Sequence, residues 1–296
     1  MSNTLHSEIT STIVEALTSG DLPPWRRPWL CDANAPGLHT SLSSGKPYRG
    51  INQLLLMVAA MKNNFRSKWF GTFKQIQNNG GTVLKGSKAT TVVLYRPVER
   101  TKIDSSGEEV DDSFFVMRSF KVFNADQTNL EQFQVSDFDA SAVPFERYEN
   151  AEGLIDAVGA DLRYGGTEAF YQLRDDYIQL PNRSRFESPE AFYETAFHEH
   201  VHYTEHADRL NWDRAEQGYA KGELVAELGA CFMMAELGLP VTHNLTNHAA
   251  YLKHWLKGME DPKFIFKASS QASKAVAWLM ECSQKRVEAQ QTAIIA

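Results

Sequence analysis

Residues 188–202 read Ser-Pro-Glu-Ala-Phe-Tyr-Glu-Thr-Ala-Phe-His-Glu-His-Val-His, and their spacing decides the reading of the C-terminal half. Ser188, Pro189 and Glu190 form a helix start. The serine caps free amides, proline suits a first turn that needs no amide partner, and the carboxylate sits at the positive end of the helix dipole. In the helix that follows, His198 and His202 are one turn apart and project from one face. Two imidazoles so placed can reach a single Zn2+ at about 2.0–2.1 Å. Glu199, next to the first histidine, is the candidate general base. His200 is rotated about 200° from His198 and is expected to face elsewhere, capped or partly exposed.

A catalytic metal of this kind needs a third protein ligand. His206 is one candidate, but the arrangement that supplies a nearby third histidine requires a glycine turn that this sequence lacks. A glutamate on a following helix fits better. Glu223 and Glu227 share one face within the apolar pattern Leu224, Val225, Leu228 and Phe232, and small residues Ala226, Gly229 and Ala230 would let two helices approach closely. One of the two carboxylates can ligate while the other orients a ligand histidine. Glu223 is taken as the ligand and Glu227 as its support or alternative. An oxyanion donor could come from Tyr203, His206, Tyr219 or Tyr251. Tyr177–Leu180, just before the helix, is expected to be an edge strand able to pair with an extended peptide.

Charge is divided along the chain. Residues 1–98 hold 11 Lys/Arg against 4 Asp/Glu, and the rest holds 19 against 33. The acidic total argues against nucleic-acid binding, but a polyanion responds to the local field, and the first third is basic. That third interleaves aromatics with cations in the manner of single-strand-binding grooves. Trp25, Arg26, Trp29, Tyr48, Arg49, Trp69, Lys74, Gln75, Lys85 and Lys88 are the candidate DNA-binding residues. The alternative is that the tryptophans fill a small core.

No apolar run is long enough to span a bilayer, the N-terminus lacks the basic flank and apolar core of a signal peptide, and three scattered cysteines do not make a disulfide framework. A reducing cytoplasm is the expected location. Periodicity predicts helices over 4–19, 52–61 and 73–78 and strands over 90–95 and 114–123, with 99–112 as a solvated hairpin loop. After a polar stretch at 137–149, it predicts a helix near 152–158, strands near 169–173 and 176–180, and then mostly helices.

The runs PWRRPW (24–29), KPYRGINQLLL (46–56), WFGTFKQIQNNGGTVLKGSKATTVVLYRPVE (69–99) and VFNADQTN (122–129) resemble the N-terminal single-stranded-DNA-binding domain of ArdC-type antirestriction proteins, a domain type also found in some plasmid primases. HEHVHYTEHADRL (198–210), YAKGELVAELGACFMMAELG (219–238) and the 248–279 tail resemble the zincin-like metallopeptidase domain of that family. Gly71 and Gly222 depart from the pattern, the second standing where a glutamate is usual before Glu223. The resemblance implies an α+β chain of two domains. A small mixed α/β DNA-binding domain would span 1–136, a linker 137–149, and a mostly helical SprT- or ImmA-like zincin domain with a small sheet 150–296. It further implies a plasmid-type protein that binds single-stranded DNA and protects incoming DNA from host restriction. One Zn2+ per chain is expected, with Mn2+ or another divalent ion as the alternative cofactor. Host restriction or other DNA-bound proteins would be the peptide substrates. The competing reading is a non-catalytic DNA shield whose zincin domain is a scaffold.

Overall fold

The computed structural model describes residues 2–18, 37–98, 101–103, 109–111, 114–134, 145–212, 218–240 and 254–295. Helix α1 (Ser2–Thr18) buries Ile9, Ile13 and Leu17, the residues spaced four apart. Helix α2 (Ile51–Asn63) is apolar around most of its circumference and is correspondingly enclosed on nearly every side. A short helix, α3 (Phe73–Asn78), opens with a reciprocal cap in which the Thr72 side chain accepts from the Gln75 amide and the Gln75 side chain accepts from the Thr72 amide.

Strands β1 (Thr40–Ser41), β2 (Trp69–Gly71), β6 (Phe114–Asn124) and β3 (Thr90–Val98) form one sheet in that order. β1 and β2 are parallel, and β6 runs antiparallel to both β2 and β3. The Asn52 side chain closes the outer edge of β3: its amide donates to the Val93 carbonyl and its oxygen accepts from the Val93 amide, both at 2.8 Å. The stretch predicted as a solvated hairpin loop between β3 and β6 itself carries two short paired strands, β4 (Thr101–Ile103) and β5 (Glu109–Asp111). Its β-branched residues favour extended backbone even amid acidic neighbours.

In the second unit, helix α4 (Phe145–Val158) begins within the stretch read as a linker. Strand β7 (Asp161–Tyr164), which the sequence reading missed, pairs in parallel with β9 (Tyr177–Leu180), and β8 (Phe170–Gln172) pairs antiparallel on the other side of β9. The order β7-β9-β8 corrects one expectation. Tyr177–Leu180 is the central strand, hydrogen-bonded on both sides, so it has no free edge to offer a peptide. The buried Ile178 and Leu180 put an alternating pattern at the sheet's middle, and a four-residue alternation alone does not distinguish a central from an edge position.

Helices α5 (Pro189–Tyr203) and α6 (Tyr219–Leu237) pack against each other, and α7 (Phe264–Ile295) packs on α6 and α4. The halves share one buried cluster that includes Ile13 and Leu54 from the first and Phe197, Leu228 and Ala272 from the second. Polar contacts reinforce that junction. Thr10 Oγ1 donates to the Pro262 carbonyl at 2.9 Å, the Gly50 amide donates to Ser273 Oγ at 2.8 Å, and the Leu38 amide donates to Glu236 Oε2 at 3.3 Å. No described helix is long and apolar enough to cross a membrane.

Candidate metal centre

Helix α5 starts where predicted. Ser188 Oγ accepts from the Ala191 amide at 3.2 Å, with Pro189 in the first turn. The rings of His198 and His202 end up 4.9 Å apart between centroids, on the face toward α6. Glu223, in the second turn of α6, reaches both: Oε2 lies 3.5 Å from His198 Nε2 and Oε1 lies 3.5 Å from His202 Nε2. One ligand atom from each of the three residues lies within 4.8 Å of the others. These N···O separations are long for charge-assisted hydrogen bonds. They match two ligands sharing one tetrahedral ion, which bonds of about 2.0–2.2 Å place roughly 3.3–3.6 Å apart.

Glu205 supplies a feature that the sequence reading passed over. Its Oε1 accepts from His202 Nδ1 at 2.7 Å, with both side chains buried. That bond assigns the Nδ1–H tautomer and leaves the Nε2 lone pair aimed at the shared point. The signal was present in the sequence as a carboxylate three residues after a ligand histidine, just past the helix end. Glu227 is also buried, one turn beyond Glu223, but is not one of the three clustered ligands, and its Oε1 lies 3.8 Å from Cys231 Sγ. Glu205 is thus a carboxylate that holds a ligand imidazole.

The electrostatics favour a cation. Burial alone would lower the His202 pKa, but the hydrogen bond to Glu205 and the nearby carboxylates of Glu223 and Glu199 hold it up at about 9. Burial would raise Glu223, yet the two histidines keep it well below the ordinary carboxylate range. A pocket with three carboxylates around two imidazoles fits a divalent ion. We expect Glu205→Gln to weaken metal binding by about 10- to 100-fold, measured by competition with a chromogenic chelator, because a partner that orients a ligand is lost. Unchanged affinity would reduce Glu205 to packing.

His200 departs from expectation. It is fully buried and not partly exposed, its Nδ1–H donates to the Ala196 carbonyl at 2.6 Å, and Nε2 has no partner among the described residues. Burial lowers its pKa to about 4, so it is neutral. It points into the interior because α5 is enclosed on more than one side.

Of the oxyanion candidates, Tyr203 is buried beneath the Arg209 guanidinium, 3.5 Å from the ring, and Arg209 also binds Asp176. His206 Nδ1 accepts from the Asp208 amide at 3.2 Å. Tyr219 is exposed and four residues before Glu223 on the same helix, which puts it on the metal side of α6. Tyr251 lies outside the described residues.

The candidate DNA-binding residues do not form one group. Trp25, Arg26 and Trp29 lie outside the described residues. Arg49, Lys74, Lys85 and Lys88 are exposed. Tyr48 is half-buried against Leu56, Phe70, Val92 and Val122. Trp69, adjacent to Phe70 on β2, belongs to the opposite sheet face and meets Phe133 edge-on at 5.3 Å. Gln75 is occupied in the α3 cap and donates to Ser43 Oγ at 2.8 Å, which is a structural role. Phe73, Leu84, Leu94 and Phe120 are exposed in this unit, which sequence alone does not reveal, because it does not tell an outward apolar residue from an inward one.

Residues 3–123 match the family described as the N-terminal domain of anti-restriction factor ArdC, and residues 149–271 match the zincin-like metallopeptidase family. The metal-free crystal structure of the antirestriction ArdC protein from the R388 plasmid superposes with a TM-score of 0.77 at 33% identity, covering 95% of this chain and 98% of that one. The chain belongs to the ArdC family of antirestriction proteins. The Mn(II)-bound structure of the same ArdC protein gives a TM-score of 0.74 at 33% identity over 94% of this chain and 98% of that one. DNA primase TraC of Escherichia coli is 33% identical over 97% of this chain, and the chain spans 28% of that primase's length. The two-domain α+β architecture is thus that of ArdC, with the zincin-like half carrying His198, His202 and Glu223.

Proposed function

We propose that this protein binds single-stranded DNA through its N-terminal unit, protects incoming plasmid DNA from host restriction in the cytoplasm, and carries a divalent-metal peptidase centre in its second unit. The convergence of His198, His202 and Glu223 within 4.8 Å supports the metal centre above all. Zinc suits the two imidazoles and one carboxylate. The Mn(II)-bound ArdC relative makes manganese the second candidate.

An ion held there would supply Lewis-acid polarisation of a carbonyl and lower the pKa of water. The protein's own residues do the rest. Glu199, buried beside His198, accepts a proton at its carboxylate and returns it to the leaving amine. Glu205 keeps the His202 ring oriented. The outer edge of β8, unpaired among the described residues and packed near α5, offers backbone groups to an extended peptide in place of β9. Host restriction or other DNA-bound proteins are the proposed substrates.

Two measurements test the reading. Gently purified protein is expected to hold about one divalent ion per chain, and His198→Ala to abolish it. Binding of an oligothymidylate is expected to weaken at least about tenfold between 50 and 200 mM salt, as release of counterions from roughly three phosphates requires. A metal-free native protein would sink the metal-centre half of the proposal, and salt-independent DNA affinity the DNA-binding half.

A further inference from the structure

We propose that the outward face of the β3–β6 pair is a stacking track for an unpaired nucleic-acid strand, with Phe120 as the base platform and Arg118 as a phosphate contact. The inference rests on the single-strand-binding reading above and assigns it a surface.

The register places the residues. Thr90 pairs with Val122, Val92 with Phe120 and Leu94 with Arg118, and side chains alternate along each strand, so these six share one face. One end of that face is covered: Val92 and Val122 are buried with Leu56 and Phe70, and Tyr48 packs on them. Beyond that end the face opens. Phe120 is 40% exposed, Leu94 is 50% exposed and Arg118 is exposed. Phe120 and Leu94 are diagonal cross-strand neighbours, close enough to form a continuous apolar strip, and Arg118 stands directly opposite Leu94.

The opposite face holds this strip in place. Val93 lies in the main buried cluster, and the Tyr95 hydroxyl is hydrogen-bonded to His6 Nε2 at 2.8 Å beside Phe266. Asn52 closes the β3 edge at Val93, which prevents another strand from adding there. An open aromatic strip on a strand pair with a closed edge is unsuited to edge-on pairing and suited to contact through its flat face.

Charge chooses the occupant. Neither strand sequence contains a carboxylate, and of their cations Arg118 is exposed on this face while Lys121 lies on the other, in a chain with net charge −7. A polyanion with planar apolar bases uses both features at once: phosphates meet the cation, and bases stack on a ring whose π-face accepts any of them. An apolar peptide would use the strip but leave the cation without a purpose.

The test is fluorescence anisotropy of a labelled oligothymidylate with full-length protein across a salt series. Phe120→Ala is expected to weaken binding about tenfold with an unchanged salt slope, because it removes stacking and no charge. Phe120→Trp is expected to restore wild-type affinity. Arg118→Ala is expected to weaken binding and to reduce the slope by about 0.7, the value for one phosphate on a single strand. Lys121→Ala removes the same charge from the opposite face, where its Nζ donates to Thr91 Oγ1 at 2.6 Å, and is expected to lose much less than Arg118→Ala. Unchanged melting temperatures confirm that the variants fold. Wild-type affinity in both Phe120→Ala and Arg118→Ala overturns this track and leaves the single-strand reading standing. Failure of the wild-type protein to bind overturns both.

Discussion

Glu199→Gln is expected to keep the metal and lose about 10²- to 10⁴-fold in hydrolysis of fluorescein-labelled casein, the range for removing a general acid–base. Glutamine retains the side chain's size and a hydrogen-bonding oxygen at this buried position but cannot take up the proton. The clustered ligands are His198, His202 and Glu223, so metal content in the variant should match wild type. Casein cleavage equal to wild type would remove Glu199 from the chemistry. The same variant separates the two biological readings. If transfer of unmodified plasmid DNA into a restricting host falls with cleavage, proteolysis belongs to protection. If protection survives undiminished while Arg49, Lys85 and Lys88 substitutions abolish it, the protein acts as a shield on DNA and its zincin half as a scaffold.

The metal face was legible because it is set by local geometry. One turn of helix brings His198 and His202 together whatever the tertiary context, and the apolar setting of Glu223 marked a second helix packed close by. Glu205 was overlooked because it lies beyond the last turn, where the chain's direction depends on tertiary contacts such as the Trp212 amide donating to the Glu205 carbonyl. Helix α1, marked by apolar residues four apart, and α2, marked by a nearly continuous apolar run, appear within a few residues of expectation. The small sheet was harder. β7 is only four residues long and three of them are exposed, so it shows no inward pattern, and without it β9 looks like an edge. The candidate DNA-binding aromatics are scattered for a related reason. Tyr48 and Trp69 are both aromatic residues near cations, yet strand alternation turns Trp69 away from Phe70, on whose side of the sheet Tyr48 packs.

Gly229→Ala is expected to destabilise the fold by about 2–3 kcal/mol and to weaken metal binding with it. A glycine in the middle of a long helix is ordinarily a liability of about 1 kcal/mol relative to alanine, so this substitution should stabilise unless space forbids it. Space forbids it here. A Cβ on Gly229 would lie 2.5 Å from Val201 Cγ2 and 3.1 Å from Cγ1, against ordinary carbon contacts of about 3.5–4.0 Å. Val201 cannot step aside, because a β-branched side chain in a helix has one strongly preferred rotamer. The overlap must instead push α5 and α6 apart by roughly 1 Å. Val201 precedes His202 and Gly229 lies six residues after Glu223, so the displacement widens the gap between the ligands on the two helices. Thermal melting should fall by roughly 5 °C and chelator competition should show weaker metal binding in the same variant. Adding Val201→Ala removes the clashing methyl groups and should recover much of both losses, a coupling that two unrelated defects would not show. A Gly229→Ala protein with raised melting temperature and wild-type metal affinity would mean that the close approach of α5 and α6 does not set the width of the metal site.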